Sequence, residues 1–208
     1  MKFLLEMRGD QILITEEILK IAAQNRWTGS DVIQLLFEER EDQILITEDI
    51  VKEAAGNRRR GYDILQLLLE KRGDQIPITE EVLRVAAGND GTGFDIIQLL
   101  FEKREDQILI TEDIVKKAAG NSYKGDCIIK LFFEKKGNRI PVTEEILKIA
   151  TRNEGYEARD MMSSFFERLG EQFPITEETL KEILELAATK WKPSLVKRLS
   201  TWKLKGHG

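Results

Sequence analysis

The sequence predicts an all-α fold, an α-solenoid of 32-residue helix-turn-helix repeats. Three observations predict it. Six threonines, Thr15, Thr47, Thr79, Thr111, Thr143 and Thr176, recur every 32 residues, with a last step of 33. Each follows Ile or Val and precedes two acidic residues, as in Ile14-Thr15-Glu16-Glu17 and Ile46-Thr47-Glu48-Asp49. The apolar residues behind each threonine then recur with a helical period. A fixed period in this range marks stacked copies of one supersecondary unit, each of which buries its apolar face only against its neighbours. The 208 residues are therefore read as one domain. Residues 1–13 form a half-repeat or N-terminal cap, 14–174 hold five repeats of 32–33 residues, and 175–208 form a divergent closing repeat.

The copy from Ile44 to Arg72 justifies each element in order. Thr47 is suited to cap a helix, because its hydroxyl can accept from a backbone N–H of the first turn. Glu48 and Asp49 follow where the helix dipole favours negative charge. Ile50, Val51, Ala54 and Ala55 make one apolar stripe, and the small alanines allow a neighbouring helix to come close. Gly56-Asn57 is expected to stop this helix, since both residues tolerate the left-handed conformation. A short loop, Arg58 to Gly61, leads into a second helix whose Ile64, Leu65, Leu67, Leu68 and Leu69 form a face too wide for one-sided packing. That helix is read as the inner layer, ending in the cations Lys71 and Arg72. The connector Asp74-Gln75-Ile76-Pro77-Ile78 reads as extended, with Ile76 and Ile78 inward. Its middle residue is Leu13, Leu45, Pro77, Leu109, Pro141 or Pro174 across the copies. Proline donates no N–H, so connectors are expected and not a sheet.

A two-repeat rhythm overlies the period. Glu41–Gly56 and Glu105–Gly120 differ at one position, Glu53 against Lys117. The sixth residue after each threonine alternates as Ile21, Glu53, Val85, Lys117 and Ile149, so the apolar members are either partly exposed or packed on a neighbour. The ends diverge. Arg8-Gly9-Asp10-Gln11 matches Arg72-Gly73-Asp74-Gln75, the tail of a second helix. After Thr176 the Ala187-Ala188 pair comes four residues late, as though one helical turn were inserted, and Trp191, Pro193, Leu195, Val196, Leu199 and Trp202 suggest an atypical closing helix.

Composition narrows the function. No stretch reaches the roughly 18 unbroken apolar residues of a membrane span, and Glu6 interrupts the opening apolar run too early for a signal peptide. A net charge of −5, from 32 basic and 37 acidic residues, argues against a nucleic-acid partner. Arg58-Arg59-Arg60 could touch phosphate, but its surroundings are acidic. Lys190, Lys192, Lys197, Arg198, Lys203 and Lys205 could lay the C-terminal segment on a membrane, and a solvated basic face on a closing cap is the plainer reading. The lone cysteine, Cys127, excludes an internal disulfide and a cysteine-based zinc site and fits a reducing, cytoplasmic setting.

The residue order resembles ankyrin repeats: Thr79 at a helix start, Ala86-Ala87, Gly93, then Ile96-Ile97-Gln98-Leu99-Leu100-Phe101, and Gly73-Asp74 after Leu67-Leu68-Leu69. It departs from them in having Thr-Glu-Glu-Val in place of Thr-Pro-Leu-His, and in a stretch from Gly73 to Thr79 too short for a β-hairpin finger. The fuller pattern is similar to the ankyrin-associated repeats of large fungal proteins with a NACHT-type, NOD-like NTPase core. That resemblance covers nearly all of 8–180 and implies a sensor or scaffold array within a larger signalling protein. No Walker motif occurs in this sequence.

No catalytic, cofactor-binding or metal-binding residue is expected. The Thr-Glu-Glu carboxylates recur at every helix start, where cap and dipole chemistry accounts for them. The only histidine, His207, leaves no Ser-His-Asp constellation, and Cys127 stands where Asp31, Asp63 and Asp95 stand in other copies. Those aspartates, with Asp160, read as near-cap residues. Asn25, Asn57, Asn89, Asn121 and Asn153 read either as helix stops, with a possible side-chain bond to the next loop, or as a ladder of amides gripping an extended peptide. The inter-helix loops carry the best functional candidates. They vary inside a near-constant frame and hold the residue types that dominate interface hot spots: Trp27, Arg59, Arg60, Tyr62, Phe94, Tyr123 and Tyr156. The expected function is non-catalytic recognition of a protein partner. The alternative is a structural array that associates end to end.

Overall fold

The computed structural model describes residues 13–155, 158–169 and 175–190. Tyr156, Pro174, most of the 1–13 half-repeat and the 191–208 part of the closing repeat lie outside the described residues. Among those described the chain is all-α, with eleven helices and no strand, in the repeating helix-turn-helix order of an α-solenoid. The helices group into two compact units, Met1–Ile108 and Leu109–Gly208.

The first unit holds three helix pairs: α1 (Glu16–Gln24) with α2 (Gly29–Arg40), α3 (Glu48–Gly56) with α4 (Gly61–Arg72), and α5 (Glu80–Ala87) with α6 (Gly93–Arg104). The first helices stack in the order α1, α3, α5 and the second helices in the order α2, α4, α6. The predicted stripes form the core: Ile50, Val51, Ala54, Ala55, Ile64, Leu65 and Leu68 are fully buried. The alanine pairs let neighbouring first helices approach closely. Gly61 does the same inside a pair, since a Cβ there would stand 2.5 Å from the Ala54 carbonyl oxygen.

The second unit holds α7 (Glu112–Gly120) with α8 (Gly125–Lys136), α9 (Glu144–Arg152) with α10 (Ala158–Leu169), and α11 (Glu177–Lys190). Here α7, α9 and α11 stack in order and α8 packs on α10. Phe132, Met161, Met162 and Phe165 are buried, and the Phe133 and Phe165 rings meet edge to face at 6.0 Å. Helix α11 has 14 residues against 9 in α7 and α9, in keeping with the late Ala187-Ala188 pair.

Three local expectations are corrected. The first helices do not stop in the left-handed region: Gly56 is still helical and Asn57 is extended at φ −74°, ψ 106°. Among the described residues only Gly73 and Gly137 take positive φ, at 49° and 60°, and they end the second helices α4 and α8. The connectors are not extended from their start, because Glu41–Gln43, Gly73–Gln75, Glu105–Gln107 and Gly137–Arg139 each form a 3-10 turn. Extended chain begins only at Ile44, Ile76, Ile108 and Ile140, all four buried. Finally, Thr15 and Thr79 cap their helices through the hydroxyl, whereas Thr47, Thr111 and Thr143 make no such cap bond.

The threonines do something the local pattern does not reveal. Thr47 donates its hydroxyl to Glu16 at 2.7 Å, Thr79 to Glu48 at 2.6 Å, and Thr143 to Glu112 at 3.0 Å. Each acceptor lies 31 residues back. The threonine of one repeat thus binds the first-turn glutamate of the repeat before it.

The alternation also gains a physical basis. Val85 reaches toward Gly56 of the preceding first helix, where a Cβ would lie 3.4 Å from Val85 Cγ1, and Ile149 stands likewise over Gly120 at 3.7 Å. Both are half-buried, whereas Ile21, at the same register, is 58% exposed.

Candidate interaction surface

The asparagine after each first helix fixes the path of the loop that follows. Asn57 Oδ1 accepts from the N–H groups of Arg59 and Arg60 at 3.1 and 3.0 Å, closing a tight turn. Its Nδ2 donates backwards, to the Ala23 carbonyl at 2.8 Å and the Asn25 carbonyl at 3.1 Å. Asn89 repeats this, with Ala55 O at 2.8 Å and the N–H groups of Gly91 and Thr92. In the second unit Asn153 donates to Ala119 O and Asn121 O at 2.8 and 2.9 Å, and Asn121 holds the N–H groups of Tyr123 and Lys124. Asn57, Asn89 and Asn121 are buried. The Nδ2 groups of Asn57, Asn89 and Asn153 are committed to backbone carbonyls within each unit, so these side chains do not form a ladder open to a peptide. A buried polar group is retained when its hydrogen bonds are met, and here they join two repeats.

These bonds engage the backbone of the loop tips and leave the tip side chains outside. In the first unit Trp27 is 65% exposed, and the Arg59 guanidinium lies over its ring, 3.9 Å from the centroid. Arg58 reaches Asp90 at 3.2 Å, Arg60 pairs with Asp63 at 2.9 Å, and the Thr92 hydroxyl donates to Asn57 O at 2.9 Å. Beside Arg59 an open depression of about 360 Å³ runs between α4 and α6, lined by Arg59, Tyr62, Asp63, Asp95, Gln98 and Glu102 among others. Gln98 donates to Glu102 at 3.0 Å. The depression is therefore lined by an aromatic side chain, a guanidinium that already stands over an indole, and three carboxylates. Cation–π contacts at exposed sites contribute about 0.5–1 kcal/mol, enough to pre-order Arg59.

Of the seven candidates, Trp27, Arg59 and Tyr62 are brought onto one edge of the first unit. Arg60 is tied to Asp63, and Phe94 is half-buried in the first turn of α6. Tyr123, 62% exposed, stands on a loop of the second unit, and Tyr156 lies outside the described residues. The sequence reading missed Asp63, Thr92, Asp95, Gln98, Leu99 and Glu102 as lining residues. A signal was present, because Trp27 and Arg59 are one repeat apart and so are Asp63 and Asp95: equal register places side chains on adjacent repeats.

Several carboxyls of the frame sit below their usual range. Asp49 is lowered first by its hydrogen bond from Lys52, Glu112 by Lys116 and then the Thr143 hydroxyl, Glu144 by the Thr176 N–H, and Glu182 by Lys148. Lys52, Lys116 and Lys130 are raised by Asp49, Glu112 and Asp126 respectively. All are structural pairings. Among the described residues no helix is long and apolar enough to cross a membrane.

No curated protein and no solved structure matches the chain. One family matches it five times in succession, over residues 3–32, 35–64, 67–96, 99–128 and 131–162, the same 32-residue step as the threonine ladder. These segments cover well over half of the sequence, and the chain belongs to that family, described as Domain of unknown function (DUF7104).

Proposed function

We propose that the chain is a non-catalytic recognition scaffold for a protein partner, and that the partner binds the loop edge of the first unit at Trp27, Arg59 and Tyr62. One observation carries this reading. The asparagine turns hold every tip backbone in place while the tips present exposed aromatic and arginine side chains beside an open depression. Rigid aromatic and arginine anchors lose little entropy on binding. Phe94, Tyr123 and Tyr156 are proposed as lesser contacts at equivalent positions. The acidic depression and the net charge of −5 support a protein over a nucleic acid, and the scaffold needs no cofactor. The ankyrin-like residue order further supports an intracellular sensor or scaffold array within a larger NACHT-type signalling protein. That part of the proposal rests on the residue pattern alone.

The test is a random peptide library selected on the purified chain, followed by calorimetry of each enriched peptide. Trp27→Ala, Arg59→Ala and Tyr62→Ala are each expected to weaken binding at least tenfold, about 1.4 kcal/mol. Peptides that bind all three variants as tightly as the parent would place recognition elsewhere and sink the proposal.

A further inference from the structure

Two neighbouring helix pairs of the first unit, α2 with α4 and α4 with α6, are built on one plan. Ser30, Arg60, Asp63 and Glu70 stand 32 residues before Tyr62, Thr92, Asp95 and Glu102, and so at the same register one repeat earlier. The frame repeats as well, since Gln66 donates to Glu70 at 2.9 Å and Gln98 donates to Glu102 at 3.0 Å. The difference lies in the residue just before the second helix. Ahead of α4 the chain supplies its own guanidinium, and Arg60 Nη1 stands 2.9 Å from Asp63 Oδ2. Ahead of α6 stands Thr92, a short side chain whose hydroxyl donates to Asn57 O at 2.9 Å. There the depression of about 360 Å³ opens, with Thr92 and Asp95 in its lining.

Charge and shape of the depression agree on what fits it. Its charged lining groups are Asp63, Asp95 and Glu102 against Arg59 alone, and the Arg59 guanidinium stands over the Trp27 ring. Asp95 and Glu102 lie two turns apart along one side of α6, with Gln98 and Leu99 between them in the lining. Tyr62, at the register of Ser30, adds an aromatic ring. A guanidinium bonds a carboxylate through two parallel N–H groups and packs flat on an aromatic face, which an ammonium does not.

We propose that the depression takes an arginine side chain of the protein partner. The partner's guanidinium binds Asp95 as Arg60 binds Asp63 one repeat earlier, packs beside Tyr62, and is drawn in by Glu102. The chain thus carries, within itself, a copy of the contact it makes with its partner. This inference rests on the loop-edge reading and adds to it the chemistry of the guest.

The test titrates Nα-acetylargininamide into the full chain and follows backbone amide resonances by NMR. Saturable shifts are expected at Tyr62, Asp95 and Glu102. Nα-acetylcitrullinamide, of the same shape without the charge, should bind at least tenfold more weakly, and Nα-acetyllysinamide should also bind more weakly. Asp95→Asn should weaken the arginine probe at least tenfold with unchanged circular dichroism. Thr92→Arg should do the same by placing a guanidinium in the depression from within the chain. The library peptides give a second readout: exchanging their arginine for citrulline should weaken binding at least tenfold on the parent and little on Asp95→Asn. Peptides that lose affinity at Trp27→Ala and Arg59→Ala yet tolerate the citrulline exchange would overturn this inference and leave the loop-edge reading standing. Peptides indifferent to Trp27→Ala, Arg59→Ala and Tyr62→Ala would remove both. An arginine probe that binds no better than the citrulline or lysine probe, or equally well to Asp95→Asn, would overturn the inference by itself.

Discussion

Asn57 makes four hydrogen bonds with one side chain, two to its own turn and two to the repeat before it. Truncation leaves buried backbone groups without partners, each costing about 1–3 kcal/mol. Asn57→Ala is therefore expected to destabilise by roughly 2–4 kcal/mol in urea titrations. Asn25→Ala, at an exposed position that among the described residues holds only its own turn, should cost no more than about 1 kcal/mol. Equal losses at the two sites would show that the backward bonds contribute little. The sequence made the recurrence of this asparagine plain but suggested a left-handed stop. Gly-Asn is a common way to end a helix locally, and a bond to a carbonyl 34 residues earlier leaves no local trace.

At the scale of the element, helix ends separate two roles that look alike in the sequence. Thr79 both caps α5 and binds Glu48, whereas Thr47 binds Glu16 without capping α3. Thr79→Val should cost about 1–2 kcal/mol, more than Thr47→Val, because it removes a cap as well as an inter-repeat bond. Denaturant midpoints of the two variants would decide, and the reverse order would refute the assignment. Second helices end in two ways. α4 and α8 close on glycines at positive φ, while α2 and α6 run into Glu41 and Glu105 in the right-handed region. Gly73→Ala meets no atom within 4 Å, yet it should destabilise by about 1 kcal/mol through backbone strain alone. Thermal melts of the variant check this, and an unchanged midpoint would refute the strain at this position. Helix positions were legible because capping residues and apolar stripes are local signals. The 3-10 turns were hidden, because Asp-Gln-Ile-Leu and Asp-Gln-Ile-Pro read equally well as extended chain.

At the scale of the whole molecule, acid should be the condition that loosens the array. Glu112 and Glu144 sit below the usual carboxylate range because they accept hydrogen bonds from lysine, threonine and backbone partners. A carboxyl lowered on folding binds fewer protons in the native state than in the unfolded one. Its contribution is complete above the unfolded pKa and is lost as pH falls through the folded value. The raised lysines contribute at neutral pH and lose their effect only in strong alkali. Stability should thus be flat through neutrality and fall below about pH 4. Glu112→Gln with Glu144→Gln should lower the neutral plateau and flatten the acid limb, as read from urea midpoints against pH. An unchanged acid limb would assign the effect to other groups. The fold class was legible from periodicity, and the loop tips were legible as variation within a constant frame. The depression was not, because its lining residues come from neighbouring copies, and in a periodic sequence a contact between copies looks the same as repetition.

The asparagine turns separate the shape of each loop from what the loop displays. Their bonds use tip backbone atoms, so a tip such as Arg26-Trp27-Thr28 can change its side chains without changing its path. Gly91 and Gly155 are exceptions, since any Cβ there would strike the Arg58 or Ser122 carbonyl of the preceding loop. The array therefore behaves as an alphabet with fixed letter spacing: most tips are writable, two are blanks, and new specificity can be spelled by exchanging tips while the stability of the frame is inherited unchanged.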